Sequence, residues 1–266
     1  MPTRAESRQA NGKEEGTVVY IYGIVPGDVE LVPDAHGIGD PPGEVTLVRH
    51  GELAAVVSEI GLGQPIGRPA DLKLHEQLLD ATAAADVPVI PMRFGAVMTS
   101  PEAVEEELLT PHHDLFTDAL RELDGRVEYV VHGRFVEDAI LAQVISDNPA
   151  VARQRERLRG MDEGAALDAR IELGQTVNSA IEASRDRETA KLIDALDPSA
   201  LATAIRAPTS ELDAFHVAFL VELARTEKFV KAVQELAAEL DGLVRLDVRG
   251  PLAAFDFIVT NKPNGN

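Results

Sequence analysis

The stretch Val18-Val19-Tyr20-Ile21-Tyr22-Gly23-Ile24-Val25 decides the architecture, because it is apolar on both of the alternating faces that a strand would present. Such a run is typical of a strand that is buried on both sides, at the centre of a sheet. Two further strand patterns, at residues 45–49 and 53–58, flank His50-Gly51, and a two-residue connection that ends in glycine predicts a hairpin. These segments together predict a sheet with a buried central strand.

Helical patterns follow this sheet. An amphipathic helix is predicted over residues 71–85 from the spacing of its apolar stripe, Leu74, Leu78, Ala81 and Ala85. Residues 87–97 predict a strand, Ser100-Pro101 predicts the cap and first residue of another helix, and Gly125 predicts where the helical region ends. The order of strand, hairpin, helix, strand and helix is typical of a small sheet with helices on one face.

The second half of the chain repeats the alternation of strands and helices. Its predicted elements are a strand at 126–135, helices over 137–205 with breaks at Asn148-Pro149, around 160–164 and at Asp197-Pro198, a strand at 212–222, a helix capped by Thr226, and two strands at 243–249 and 254–259. Asp197-Pro198 is expected to start a helix, since it combines a capping residue with proline. We therefore expect a second unit of strands and helices with a helical insertion.

The predicted fold class is α+β, with two domains that each combine a small mixed or antiparallel sheet with packed helices. The predicted organisation is a disordered tail at 1–16, an N-terminal domain at 17–124, a C-terminal domain at 125–260 and a tail at 261–266. The first tail is polar and lacks the apolar stretch of a signal peptide.

Composition argues against several classes of protein. The net charge is −20, whereas a nucleic-acid-binding protein needs a surplus of Lys and Arg to displace counterions from phosphates. The same charge disfavours binding to an anionic membrane surface, and no apolar run is long enough for membrane insertion. There is no cysteine, which excludes disulfides and thiolate chemistry and fits a cytoplasmic protein.

No motif in the sequence supports catalysis, a cofactor or a metal. Gly61, Gly63 and Gly67 follow a predicted strand, but their spacing differs from the dinucleotide-binding fingerprint and Pro65 interrupts it. His112-His113-Asp114 places its side chains in divergent directions, so a shared metal ion is not expected. We predict that the chain is not an enzyme and that it has no cofactor and no metal.

Pro91-Met92-Arg93-Phe94-Gly95 is the most unusual stretch, because a cationic residue interrupts an apolar pattern. A buried guanidinium group is costly unless it is paired and hydrogen-bonded. Arg93 should therefore either meet a carboxylate within the fold or point toward a partner. His75 is expected to be a half-buried histidine bonded to a nearby carbonyl group, or else to lie near Arg93 at a functional site.

Basic residues cluster only at Arg153, Arg155, Arg157 and Arg159. On a helix these side chains spread around the axis, so a solvated helix and a contact for an acidic partner are both open. Across the whole chain, six residues are candidates for partner binding: Tyr22, His75, Arg93, Phe94, Arg153 and Arg157.

Several motifs occur together in the order that is typical of one family. They are residues 19–25, Asp71 with His75, residues 89–95, residues 125–131 with Glu128, and Gly250-Pro251 with Phe255-Asp256-Phe257. In these features the chain resembles the gas vesicle protein F and L family over residues 17–259. The Pro-x-Arg-Phe-Gly element is the most specific of them. The family usually has Pro and Tyr after the closing Gly-Pro, where this chain has Leu252-Ala253-Ala254.

The resemblance implies a non-enzymatic accessory protein of gas vesicle formation, located in the cytoplasm and associated with gas vesicles. It implies binding to the small hydrophobic shell protein and to other gas vesicle accessory proteins. It also implies an N-terminal α+β domain and a ferredoxin-like C-terminal domain. An alternative from the residues alone is a small-molecule-binding or catalytic protein that uses a cleft between domains, with Arg93 and His75 as anion ligands.

Overall fold

The computed structural model describes residues 16–31, 35–160 and 166–258. These residues form two compact units: one contains the described residues up to Leu78 with Pro91–Thr117, and the other contains Leu79–Ile90 and the described residues from Asp118 onward. Two sheets with packed helices make up the structure, which confirms the α+β class. Residues 1–15 and 261–266 of the predicted tails lie outside the described residues.

The first sheet is built around the apolar stretch that decides the fold. Its strands are β1 (Thr17–Pro26), β2 (Val45–His50), β3 (Leu53–Gly61), β4 (Ile90–Pro91) and β5 (Val97–Met98). The order is β2-β3-β1-β4, β5 also pairs with β1, and the β1–β3, β2–β3 and β1–β5 pairs are antiparallel. Residues 19–25 of β1 are all buried, which confirms the prediction of a central strand.

Helices follow the strands of the first sheet. Their bounds are α1 (Pro69–Ala84), α2 (Pro101–Ala103), which continues as a π-helix (Val104–Leu109), and α3 (His113–Leu123). The Ser100 side chain accepts a hydrogen bond from the Ala103 N–H group and Pro101 is the first residue of α2, as predicted. Gly125 follows α3 with a φ of 64°, which suits the end of a helix.

The second sheet contains four antiparallel strands. They are β6 (Arg126–Phe135), β7 (Ala202–Ile205), β8 (Asp213–Glu222) and β9 (Val244–Leu252), in the order β7-β8-β6-β9. The helices of this half are α4 (Glu137–Asp147), α5 (Pro149–Arg159), α6 (Ala166–Leu196) and α7 (Thr226–Glu239). The ferredoxin-like description of this half stays a prediction.

Three sequence predictions for the strands are wrong. The strand predicted at 87–97 is divided into β4 and β5, because the chain turns between them and the Ala96 N–H group bonds to the Arg93 carbonyl group. Helix was predicted through residue 205, but α6 ends before Pro198 and residues 202–205 pair with β8 as β7. Strand pairing there overrides a sequence whose composition favours helix.

The strand predicted at 243–249 is present in β9, whereas the strand predicted at 254–259 is wrong. One strand, β9, runs through Gly250-Pro251, and residues 254–258 do not form a strand; Val259 lies outside the described residues. β9 is an edge strand of its sheet, and an edge tolerates proline because the missing N–H group need not face a neighbouring strand. A Cβ atom at Gly250 would collide with the Tyr129 ring, so the close approach here requires glycine.

Candidate functional site

Two buried tyrosines lie on one face of β1 and form the base of the candidate site. Tyr20 and Tyr22 are both fully buried, and their hydroxyl groups have separate partners. The Tyr22 hydroxyl bonds to the Ser58 hydroxyl at 2.8 Å and accepts the Ile38 N–H group at 2.7 Å. Tyr22 therefore ties the loop after β1 to β3. Because it has no exposed surface, it cannot contact a partner directly.

The second tyrosine is part of a chain of hydrogen bonds that holds the segment between β4 and β5. The Tyr20 oxygen is 2.9 Å from His75 Nδ1 and accepts the Gly95 N–H group at 3.1 Å. His75 Nε2 is 3.1 Å from the Met92 carbonyl oxygen. We call Tyr20 and His75 the relay, and we call the turn at residues 91–95 the Arg93 turn. The relay bonds to the Met92 carbonyl and the Gly95 N–H group, which lie near the two ends of this turn.

The donors in the relay follow from its partners. Because the Met92 carbonyl can only accept, His75 carries its proton on Nε2, and Nδ1 then accepts the Tyr20 O–H group. In this neutral tautomer the Tyr20 O–H group and the His75 Nε2–H group each donate a hydrogen bond. Burial also favours the neutral ring, because it lowers the pKa of His75. Burial also raises the pKa of Tyr20 to about 12. Both groups are therefore neutral near pH 7.

The carboxylate of Asp71, near the start of α1, fixes the loop that precedes this helix. Asp71 is buried and accepts the N–H groups of Gly67 and Arg68, and the Arg68 guanidinium bonds to both carboxylate oxygens. The hydrogen bond from Arg68 is the main cause of the lowered pKa of Asp71. The loop before α1, which contains Gly61, Gly63 and Gly67, is therefore held by side-chain bonds to the helix.

The exposed side of the Arg93 turn carries one cation next to apolar surface. Arg93 is exposed, and no ion pair to it is formed within the described ranges, so the internal salt bridge that the sequence left open is not formed. Phe94 is partly exposed, and its ring packs edge-on against the rings of Tyr20 and His75. Gly95 has a φ of 91°, which favours glycine, and Val97 beyond it is 47% exposed.

The buried face of α1 differs from the predicted stripe. Asp71, His75, Leu79 and Ala83 are buried, whereas Leu74 and Leu78 are only partly buried and Ala81 and Ala85 are exposed. The apolar residues predict a different buried face. In the structure Asp71 and His75 face inward, because both have hydrogen-bond partners there. His75 is therefore fully buried instead of half-buried, although the predicted bond to a carbonyl group is present.

The alternative of an anion site at His75 and Arg93 gains no support from this geometry. Both ring nitrogens of His75 are used below the turn, whereas Arg93 lies on its exposed side. Arg153 and Arg157 are exposed on α5 and lie far from this turn in sequence. They stay candidates for partner contact, as do Arg93 and Phe94.

A second buried cluster joins family motifs that are distant in sequence. Glu128 on β6 is fully buried; it accepts Arg206 Nη2 at 2.8 Å and the Asp256 N–H group at 2.9 Å. Arg206 also donates to the Asp256 carboxylate. Burial raises the pKa of Glu128 to about 7, and Arg206 offsets part of this rise. Arg206 was not singled out from sequence, since an arginine after a short strand carries no motif.

Residues 16–31, 35–160 and 166–258 contain neither a candidate metal cluster nor a candidate membrane span. None of the His, Asp and Glu side chains in these ranges form a group of three that could hold a metal ion. None of the helices there is long and apolar enough to cross a membrane.

Two units of sheet and helix, each with a buried polar cluster made from separated motifs, define a class of two-unit α+β proteins. A family model described as gas vesicle synthesis protein GvpL/GvpF matches residues 18–259, and the chain belongs to this family. It is 34% identical to gas vesicle protein F of Streptomyces sp. (strain CB03234) over 248 residues, which cover 90% of this chain and 98% of that protein. It is 29% identical to gas vesicle protein L of the same strain, with 90% of this chain and 91% of that protein covered.

Solved structures agree with the family assignment at the level of the fold. The crystal structure of GvpF from Anabaena sp. PCC7120 matches with a TM-score of 0.74 and 21% identity, covering 90% of this chain and 97% of that one. GvpF from Microcystis aeruginosa matches with a TM-score of 0.71 and 20% identity, covering 90% and 98% of the two chains. The recognition of the family from its motifs is thereby confirmed.

Proposed function

We propose that this chain is a non-enzymatic accessory protein of gas vesicle formation, which binds the small hydrophobic shell protein through the surface of the Arg93 turn. Its work is done in the cytoplasm, in association with gas vesicles and with other gas vesicle proteins. Membership of the gas vesicle family supports the general role. The observation that carries the binding surface is a rigidly held turn whose exposed side presents an unpaired cation beside apolar groups.

The relay supports recognition because it fixes the turn before any partner arrives. Met92 and Gly95 are bonded through main-chain groups to Tyr20 and His75, so little conformational entropy is lost when the exposed side binds. Arg93 and the exposed part of Phe94 supply the side-chain types that commonly dominate protein interfaces. Phe94 also packs against the buried rings of Tyr20 and His75, whereas Arg93 is exposed.

The composition of the chain suits a partner that aggregates. Small amphipathic shell subunits expose apolar surface before they join a shell, and such surface drives association. A soluble partner can cover that surface until the subunit is added. With a net charge of −20, this chain would keep the complex dispersed through like-charge repulsion.

The binding surface is tested by co-purification with the shell protein. Tagged wild-type chain, Arg93→Glu and Arg245→Glu are each co-expressed with the shell protein; Arg245 is exposed on β9 and provides a control with the same change in charge. We expect Arg93→Glu to lose most of the captured shell protein while Arg245→Glu keeps it. Equal capture by the two variants would contradict the proposed surface.

The role itself is tested separately by deletion. In a strain that lacks this chain, we expect the shell protein to aggregate and gas vesicles to be absent or few. A shell protein that stays dispersed and assembles normally in that strain would overturn the assembly role, whatever the result for the surface.

A further inference from the structure

A pocket in the second unit lies apart from the Arg93 turn and is not used by the proposed function. Its volume is about 430 Å³, and it opens between α6 and the end of β7. Apolar side chains supply much of its lining: Ala190, Ile193, Ile205, Pro208 and Phe215. Ile205 is 66% exposed, so the mouth of the pocket carries an apolar group that the fold does not cover.

One wall of the pocket carries a guanidinium group that no carboxylate neutralises. Arg185 donates from Nε to the Asp213 carbonyl at 2.7 Å and from Nη2 to the Glu211 carbonyl at 2.8 Å. These bonds hold the group in place but leave its charge unpaired, because no ion pair to Arg185 is formed within the described part of the chain. Nη1 makes no hydrogen bond to the same residues and is free to donate.

His216 also lines the pocket. Neither ring nitrogen of His216 makes a well-oriented hydrogen bond to the described residues, although both nitrogens are shielded from solvent. Burial is the main cause of the lowered pKa of His216; the nearby His132 and Arg206 lower it further, and the Ala207 carbonyl and the Asp213 carboxylate oppose this shift. Because both nitrogens are shielded, a ligand in the pocket would meet the carbon atoms of the His216 ring and not its N–H group.

The two acidic residues that line the pocket form no ion pair with Arg185 within the described part of the chain. The Asp213 carboxylate is engaged by the N–H and hydroxyl groups of Thr209 and Ser210 and lies 3.1 Å from His132 Nε2. Asp186 is exposed, so solvent and salt screen its charge. Arg206 also lines the pocket but is paired with Glu128 and Asp256, so Arg185 is the lining cation that an anion could neutralise.

We propose that this pocket binds a carboxylate attached to a short apolar group. The carboxylate would accept from Arg185 Nη1, and the apolar part would lie against Ile193, Ile205 and Phe215. The same chemistry occurs in a free aryl or alkyl carboxylic acid and at the C-terminus of a peptide that ends in an apolar residue. This inference does not depend on the proposed assembly role.

The first experiment compares acids with their uncharged amides. The folded full chain is titrated with 3-phenylpropionate and 3-phenylpropanamide, and separately with Gly-Gly-Phe and its C-terminal amide, by calorimetry at 0.15 M salt. At least one acid should bind with a Kd below about 1 mM, and about tenfold more tightly than its amide. Binding of the free acid alone or of the peptide alone identifies the source. No binding, or equal binding of acid and amide in both arms, would overturn the proposal.

Matched variants place the ligand in this pocket. Arg185→Gln should weaken binding about tenfold, whereas Arg187→Gln, an exposed change on the same helix outside the lining, should not. The His216 ring offers an independent readout: its pKa, followed by NMR, should rise when the acid is bound, since a nearby anion favours the protonated ring. If Arg187→Gln weakened binding as much as Arg185→Gln, or if the His216 pKa did not move, the site would be wrong.

Discussion

The two units bury polar clusters that differ in charge. Beneath the Arg93 turn, Tyr20 and His75 are neutral and bond to main-chain groups. In the second unit, Glu128 meets the guanidinium of Arg206, and Asp256 is bonded to both. One cluster positions an exposed turn through hydrogen bonds, and the other joins β6 to a segment near the chain end through an ion pair.

This difference determines how each cluster responds to damage. A neutral hydrogen bond contributes about 1 kcal/mol net, and the larger cost of breaking it comes from groups left unsatisfied. Removing one partner of a buried ion pair leaves an uncompensated charge, which costs about 3–5 kcal/mol. The ionic cluster should therefore be the more fragile of the two toward a single substitution.

The largest effect is expected when the cation is removed from the ionic cluster. Arg206→Met leaves Glu128 buried without its cation and should lower the free energy of unfolding by about 3–5 kcal/mol at pH 8. The loss should be smaller at pH 6, because the raised pKa of Glu128 lets the carboxyl group take up a proton. Urea unfolding at the two pH values measures both quantities.

An exposed ion pair provides the control. Arg225 pairs with Glu222 at 2.6 Å where both side chains are open to solvent, so Arg225→Met should change stability by less than about 1 kcal/mol. Equal losses in Arg206→Met and Arg225→Met would mean that burial does not set the strength of the ionic cluster.

A smaller loss is expected when the relay is cut. Tyr20→Phe keeps the buried ring but leaves His75 Nδ1 and the Gly95 N–H group without the hydroxyl, at a cost of about 2–3 kcal/mol. The amide of Gly95 should also lose protection from hydrogen exchange, since its acceptor is gone.

The neighbouring tyrosine distinguishes a local effect from a general one. Tyr22→Phe removes the partner of Ser58 and Ile38 and should cost a similar free energy, but it leaves the bond to Gly95 in place. If Gly95 lost the same protection in both variants, the relay would not be what holds the Arg93 turn.

Sequence patterns predicted the sheets better than the buried polar clusters. The all-apolar run of β1 and the alternating apolar residues of β6 are typical of strands. Both strands were therefore predicted to within about two residues of their bounds. β7 was missed because Ala202–Ile205 is short and its pairing with β8 depends on residues more than ten positions away.

The buried polar residues could be located from sequence only in part. Asp71, His75 and Glu128 belong to motifs that the family resemblance supplied, but nothing local indicates that His75 faces Tyr20, which is 55 residues away. A hydrophobic stripe predicts the buried face of a helix only when that face is apolar, and in α1 it is not. Arg206 pairs with Glu128 across 78 residues and could not be predicted from spacing.

The two clusters should also respond to pH with opposite signs. His75 has a lowered pKa when folded, so the unfolded chain binds more protons and the contribution of His75 is lost as pH falls below about 6.5. Glu128 has a raised pKa when folded, so its cluster gains stability as pH falls from about 7 toward 4.5.

Comparing each variant with wild type separates the pH dependence of one buried group from that of all other titrating groups. The free energy of unfolding of wild type minus that of His75→Gln should shrink between pH 7 and pH 5, whereas the difference between wild type and Glu128→Gln should grow. Chemical unfolding across this range measures both. Slopes of the same sign would show that one of the two buried groups is not in the protonation state inferred from its contacts.

The smallest effect on stability is expected at Arg93, where the neutral cluster meets solvent. Arg93 is exposed and forms no ion pair within the described residues, so Arg93→Glu should change the free energy of unfolding by no more than about 0.5 kcal/mol. The Gly95 amide should keep its protection from exchange, because the relay bonds to main-chain groups that this substitution leaves in place. A loss of stability as large as that of Tyr20→Phe would mean that the Arg93 side chain supports the fold, and the turn would then be a structural element with no surface reserved for a partner. If Arg93→Glu kept its stability but lost capture of the shell protein, the two roles would be separate. The buried relay would hold the turn, and the exposed Arg93 side chain would bind the partner.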